Sequence, residues 1–413
     1  MVVKLIILAS CVITGLNLTC SSFAGVLKIV SRPMKAGIFI DGIEAGLAPF
    51  KTNLQNGSYR IEVREDGYKF FTNEIEMSSN LSIFVRLTPT NSHFTFMRQI
   101  ITGHGPKDIL YSPDGRYLMI TTMGTNFIQV YDSKDGSLTN IHVPGYDKYF
   151  GFIEGVFNRD GSEFWFTQMN EHGRVFVLSM KDFSIKTNIP TRANWTKVGE
   201  FTPDFKYYYV SNWISCDITI IDPVTYSFVR KFKTFGKMPR GVAFSDDGNF
   251  VYAAMFGNDD GSGEIIKYSI TNDYKIVCRV KTGGSCGRFR VDRTKGLAYI
   301  NNMGVNKLFV YDMKTDKIIK TIQTWNKPDN VKISPDNRYV YVSNRGPNNK
   351  ISYYLRSPLD GKIVIYDSEK DFETVEELNL GNQPIGIAIR PDGKILSISN
   401  FLDDSVEFYE INM

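Results

Sequence analysis

From residue 26 onward the chain alternates short apolar, β-branched runs with glycine, aspartate and proline. Val26 to Val30 is one such run, and Ile38-Phe39-Ile40 stops at Asp41-Gly42, a tight-turn signal. Tyr59, Ile61 and Val63 alternate with Arg60, Glu62 and Arg64, the period of two that buries one face of a strand. Asp66-Gly67 turns the chain again, and Ile83, Val85 and Leu87 end this first region. The pattern predicts a small β domain over residues 25–88, near the lower limit for holding a core of its own.

Beyond residue 92 the pattern repeats. A turn of the Pro-Asp-Gly type recurs between two apolar runs: Pro113-Asp114-Gly115, Arg159-Asp160-Gly161, Pro203-Asp204-Phe205, Asp246-Asp247-Gly248, Pro335-Asp336-Asn337 and Pro391-Asp392-Gly393. The first four are about 43 to 46 residues apart, and Arg293-Thr294-Lys295 fills the double gap before Asp336 as a degenerate copy. Each copy carries four strand signals, as in Gly241–Phe244, Asn249–Ala253, Glu264–Tyr268 and Lys275–Val280. Seven copies of four short antiparallel strands predict a seven-bladed β-propeller over residues 92–413. The last copy is one strand short, and residues 93–100 lack a partner, so that segment is expected to supply the missing outer strand and close the ring. The fold class expected is all-β: a propeller preceded by a small β-sandwich.

Composition narrows the function. The hydrophobic share is 42% and the charged share 22%, ordinary for a globular chain. The net charge of +4 is too small for a dedicated nucleic-acid binder. Lys4 followed by a mainly apolar stretch from Leu5 to Leu16 reads as an export signal, too short to span a bilayer. Two processing routes compete: cleavage after Ala24, with small residues Ser22 and Ala24 at the required positions, or lipidation at Cys20. Either route places the mature chain outside the cytosol, in the periplasm or cell envelope, and membrane attachment is expected only through a lipid at Cys20. Export permits disulfides, and Cys278 and Cys286 flank one connection between copies.

The first region resembles the PEGA domain. It has Ser31-Arg32-Pro33-Met34-Lys35-Ala36, Asp41-Gly42, Gly46-Leu47-Ala48-Pro49, Gly57-Ser58-Tyr59 and Gly67-Tyr68 in that family's order and spacing. Met34 and Lys35 stand where the signature has Glu and Gly, and Ala48 where it has Thr. The resemblance implies a module of bacterial envelope proteins without catalytic residues. The repeats resemble the YVTN family of seven-bladed propellers, through Tyr209-Val210-Ser211-Asn212, Tyr299-Ile300-Asn301-Asn302 and Tyr341-Val342-Ser343-Asn344. Third strands ending in Asp do the same at Asp132, Asp222, Asp312 and Asp367, although no name motif carries the family's Thr. The Tyr and Val are expected to fill the space between blades, and the Asn and Asp to bond their own backbone at strand ends.

Function in this architecture is expected on the loop face opposite the Pro-Asp-Gly turns and in the central channel. Lys107, Asp108, Glu154, Lys197, Arg240, Arg288, Asp329 and Asn330 begin the inner strands and should ring the channel mouth. They could bind a polar or anionic ligand, or merely pair with one another across the channel. Trp195, Trp213 and Trp325 fall near the same face, with Tyr146, Tyr149, Phe150, Phe256 and Phe401. Such aromatic rims suit sugars or peptide segments, or simply packing between blades. An insertion at 345–358 adds Tyr353 and Tyr354. Asn258 to Glu264 hints at a cation loop but lacks the full spacing. The four His are not grouped, and no nucleophile elbow or phosphate loop occurs, so neither metal nor cofactor is expected. The expected function is non-catalytic binding of an envelope protein or glycan. The alternatives are a propeller hydrolase or lactonase using the channel carboxylates, and a purely structural envelope part.

Overall fold

The computed structural model describes residues 23–144, 151–235, 237–257 and 261–413. The targeting segment with Cys20, the rim aromatics Tyr146, Tyr149 and Phe150, and Asn258, Asp259 and Asp260 of the cation-loop reading lie outside the described residues. Among the described residues every element is a strand, and no helix is long and apolar enough to cross a membrane. The chain divides into two compact units, residues 1–87 and 88–413.

The first unit has two sheets. In one, Phe23–Arg32 pairs antiparallel with Phe50–Gln55 and parallel with Leu81–Arg86. In the other, Gly37–Ile40 lies between Ile43–Leu47 and Gly57–Arg64, and Phe71–Met77 completes the edge. Leu27, Ile29, Ile38, Ile61, Val63 and Val85 are fully buried, so the alternation along each strand does fill one core. Lys35 takes a left-handed φ of 68°, in the place where the family signature has glycine.

The second unit is seven four-stranded sheets, six of them in simple consecutive order. The seventh is completed by Phe94–Ile101, which pairs antiparallel with Ser405–Ile411. The inner strands are Pro106–Tyr111, Phe152–Phe157, Thr196–Phe201, Pro239–Phe244, Cys286–Asp292, Pro328–Ile333 and Pro384–Ile389. Each touches the inner strand before and after it, which closes the ring. We number the blades one to seven in that order. Apolar side chains from facing blades form separate cores between them, as with Tyr209, Ile220, Phe244 and Tyr268 between blades three and four.

Tyr209 and Tyr299 are buried in those cores, and Tyr341 is buried as well. Asp132, Asp222, Asp312 and Asp367 accept hydrogen bonds from their own turn backbone, at 2.8 to 3.0 Å from the amides of Lys134, Val224, Lys314 and Glu369. Two of the strand-end asparagines bond their own backbone as expected: Asn344 donates to the Val342 carbonyl at 3.0 Å, and Asn302 accepts from the Gly304 amide of its own turn at 3.1 Å. Asn302 also accepts from the Ser285 amide of the connection entering its blade, and Asn212 donates to the Asp217 and Thr219 side chains. Cys278 sits on the outer strand of blade four and Cys286 on the inner strand of blade five, and Cys216, Cys278 and Cys286 are all free thiols.

Candidate functional site

All seven inner strands start with an irregularity in register against their neighbours. In blade four Pro239 pairs with Met255 and Gly241 with Ala254, so Arg240 is an extra residue. Lys107 in blade one and Asp329 in blade six are extra in the same way. A bulge re-aims the side chain it displaces and lets consecutive residues leave the alternation. These three residues, with Lys197 and Ile153, line a cavity of about 270 Å³.

The cavity's second set of walls comes from one repeated position, the residue directly after each second strand. In blades one to six these are Met123, Met169, Trp213, Phe256, Met303 and Arg345, and all six line the cavity. The equivalent residue of blade seven, Phe401, is buried beneath Tyr353, with ring centroids 5.3 Å apart. Trp195 from the preceding connection stands 5.7 Å from the Trp213 ring. The insertion in blade six adds Asn348, Tyr353 and Tyr354. It is tied down rather than loose: Arg356 pairs with Asp403, and Asn382 exchanges bonds of 2.9 and 3.1 Å with Ser357.

The electrostatics are unbalanced. Lys107, Lys197, Arg240 and Arg345 face one carboxylate, Asp329, among the described lining residues. Arg240 and Arg345 each donate to it, at 2.7 and 3.1 Å. Burial raises the Asp329 carboxyl, but Lys107, Arg240 and Arg345 outweigh it and hold the group far below the ordinary carboxylate range. Lys107 donates to the Tyr353 hydroxyl at 3.0 Å. Lys197 lies 3.9 Å over the Trp213 ring and makes no ion pair among the described residues. Burial, reinforced by Arg240 and Lys107, pushes its ammonium well below lysine's usual range. The Nε atoms of Arg240 and Arg345 and the indole N–H of Trp213 are buried without a hydrogen-bond partner.

The remaining candidates part company from this cavity. Arg288 pairs with Glu154 and, at 3.2 Å, with Asp108, joining blades one, two and five. Burial lowers the Arg288 guanidinium to about 10 despite these partners. The expected ring is therefore two sets: Asp108 and Glu154 share the single guanidinium of Arg288, whereas Lys107, Lys197, Arg240 and Asp329 face the cavity. Asn330 is buried, its Oδ1 accepting from the Val331 amide. Trp325 lies against Lys362 and the Gly346 turn, away from the cavity lining. A third set, Glu200, Arg290 and Lys332, was missed in the sequence, because the fifth residue of an inner strand was not considered as channel-facing. Met123, Met169 and Met303 were missed too, and Arg345 entered only as the first residue of the insertion. Aligning the copies on the end of strand two would have found them. Among the described residues, no three of His, Cys, Asp and Glu come together as metal donors.

Comparison with known proteins agrees with this architecture. Residues 24–91 match the PEGA domain family, and residues 298–413 match the family described as lactonase, 7-bladed beta-propeller. Among solved structures, a chain of Kuenenia stuttgartiensis hydrazine synthase covers 78% of this chain and 99% of its own length, with a TM-score of 0.62 and 17% identity. A chain of a mitotic checkpoint complex covers 79% of this chain and 98% of its own, also at 0.62, with 12% identity. These likenesses concern the propeller fold. Antigen Lp49 of Leptospira interrogans is 31% identical over 382 residues, 91% of this chain and 80% of that protein. The chain, a PEGA domain followed by a seven-bladed propeller, belongs to the family of antigen Lp49.

Proposed function

We propose that this is an exported, non-catalytic binding protein of the cell envelope, which recognises a protein or glycan partner through the propeller's cavity and its aromatic rim. The observation that carries the reading is the cavity itself: four basic side chains against one carboxylate among the described lining residues, set among tilted and edge-to-face aromatic rings. Rigid rings and guanidinium groups in a partly closed pocket are the groups that dominate recognition surfaces. The PEGA domain and the kinship to a protein named as an antigen support an exposed location. Export through the segment at residues 1–24 belongs to the same reading, with cleavage after Ala24 and lipidation at Cys20 as its two routes. The mass of the mature N-terminus distinguishes them.

The hydrolytic alternative has the lactonase-family match on its side. Against it, Asp329 accepts from two guanidinium groups, and Asp108 and Glu154 both lie against Arg288, so each carboxylate already has a cationic partner. The test is capture from envelope extracts with the full chain as bait. Trp213→Ala and Tyr354→Ala should each lose roughly tenfold or more of the captured partner. Equal capture by the wild type and both variants refutes the reading.

A further inference from the structure

We infer that the cavity takes a carboxylate carried on an apolar body, an inference that rests on the binding reading above. Two features of the lining demand an anion. Arg240 and Arg345 are more than nine-tenths buried and share one carboxylate, yet each keeps an unpartnered Nε. The Trp213 indole N–H is likewise buried and unpartnered, beside a Lys197 that makes no ion pair among the described residues. Buried donors without acceptors are costly, and a guanidinium is the group best shaped to hold a carboxylate. An incoming carboxylate supplies the acceptors, and it offsets the excess of positive charge that Asp329 alone leaves.

The rest of the lining selects the body of the ligand. Met123, Ile153, Met169 and Met303 contribute no strong hydrogen-bonding groups, and methionine adapts to irregular apolar shapes. A sugar acid would bury several hydroxyls against those side chains without partners, at a cost of about 1–3 kcal/mol each. An aryl or branched alkyl group leaves nothing unsatisfied there. The volume of about 270 Å³ equals that of about nine water molecules in the liquid, enough for a single ring or side chain with its carboxylate. Two sources present this chemistry: a free aromatic or branched acid, and the last residue of a protein chain with its terminal carboxylate.

The experiment is calorimetric titration of the full chain with three probes and their controls. The probes are phenylacetate, an N-acetylated tripeptide ending in phenylalanine, and glucuronate. The controls are the amides of the first two. The carboxylates should bind at least about tenfold more tightly than their amides. Lys197→Met and Trp213→Phe, checked for an unchanged melting temperature, should each weaken them about tenfold or more. Binding of the tripeptide without phenylacetate assigns the site to a chain terminus, and equal binding of both assigns it to free acids as well. Amides that bind as well as acids overturn the inference, as does glucuronate binding better than both apolar acids. If no probe binds while the extract still yields a partner sensitive to Trp213→Ala, the carboxylate inference fails and the binding reading stands.

Discussion

Lys35 carries a conformational cost that its chemistry does not repay. A side chain other than glycine at a φ of 68° costs about 1–2 kcal/mol, and this lysine is exposed. Lys35→Gly should recover about 0.5–1 kcal/mol after the entropy of the freer unfolded chain is deducted. Amide exchange in the first unit should then slow about two- to fivefold, and faster exchange would refute the argument. Residues of this kind were legible in the sequence, because a turn needs particular atoms at particular offsets. Asp114 accepts from the Arg116 amide at 3.1 Å, and Ser112 accepts from the Tyr117 amide at 2.9 Å, closing the turn from both sides. Thr202, Ser245 and Ser334 repeat the second bond at 3.1, 3.0 and 2.8 Å. The strand-end asparagines were less legible. A side-chain amide reaches several groups, and the sequence does not say which connection passes beside it.

At the scale of elements, strands and their grouping into blades could be read because alternation and turn spacing are local. The bulges could not. An extra residue at the start of an inner strand leaves the apolar count unchanged, so nothing in the pattern separates Lys107, which faces the cavity, from Asp108, which pairs with Arg288. That single-residue offset decides which candidate charges line the cavity. The strand Phe94–Ile101 has its own testable weight. Phe94 is fully buried, and its carbonyl accepts from the Thr88 hydroxyl at 2.7 Å. Phe94→Ala should destabilise the propeller by about 3–5 kcal/mol, read as a lower denaturant midpoint. A loss below about 1 kcal/mol would mean that this edge closes without it.

At the scale of the whole molecule, the channel joins charges from blades far apart in sequence. Lys332 in blade six is lowered to about 7, first by burial and then by Arg290 and Arg288 of blade five, against the pull of Asp108 and Glu200. Its ordinary value lies near 10.5, so between about 7 and 10.5 the unfolded chain binds the extra proton and stability rises with pH. Glu200, raised chiefly by burial, has the opposite sign. Lys332→Met should therefore melt higher than the wild type at pH 6, and its advantage should shrink toward pH 10. An advantage independent of pH would refute the assignment. The pairing of Phe94–Ile101 with Ser405–Ile411 also has a temporal meaning. A circle whose clasp joins its earliest and latest links cannot be fastened while synthesis is under way. The ring therefore cannot shut until Ser405–Ile411 has been made, however early the other blades fold.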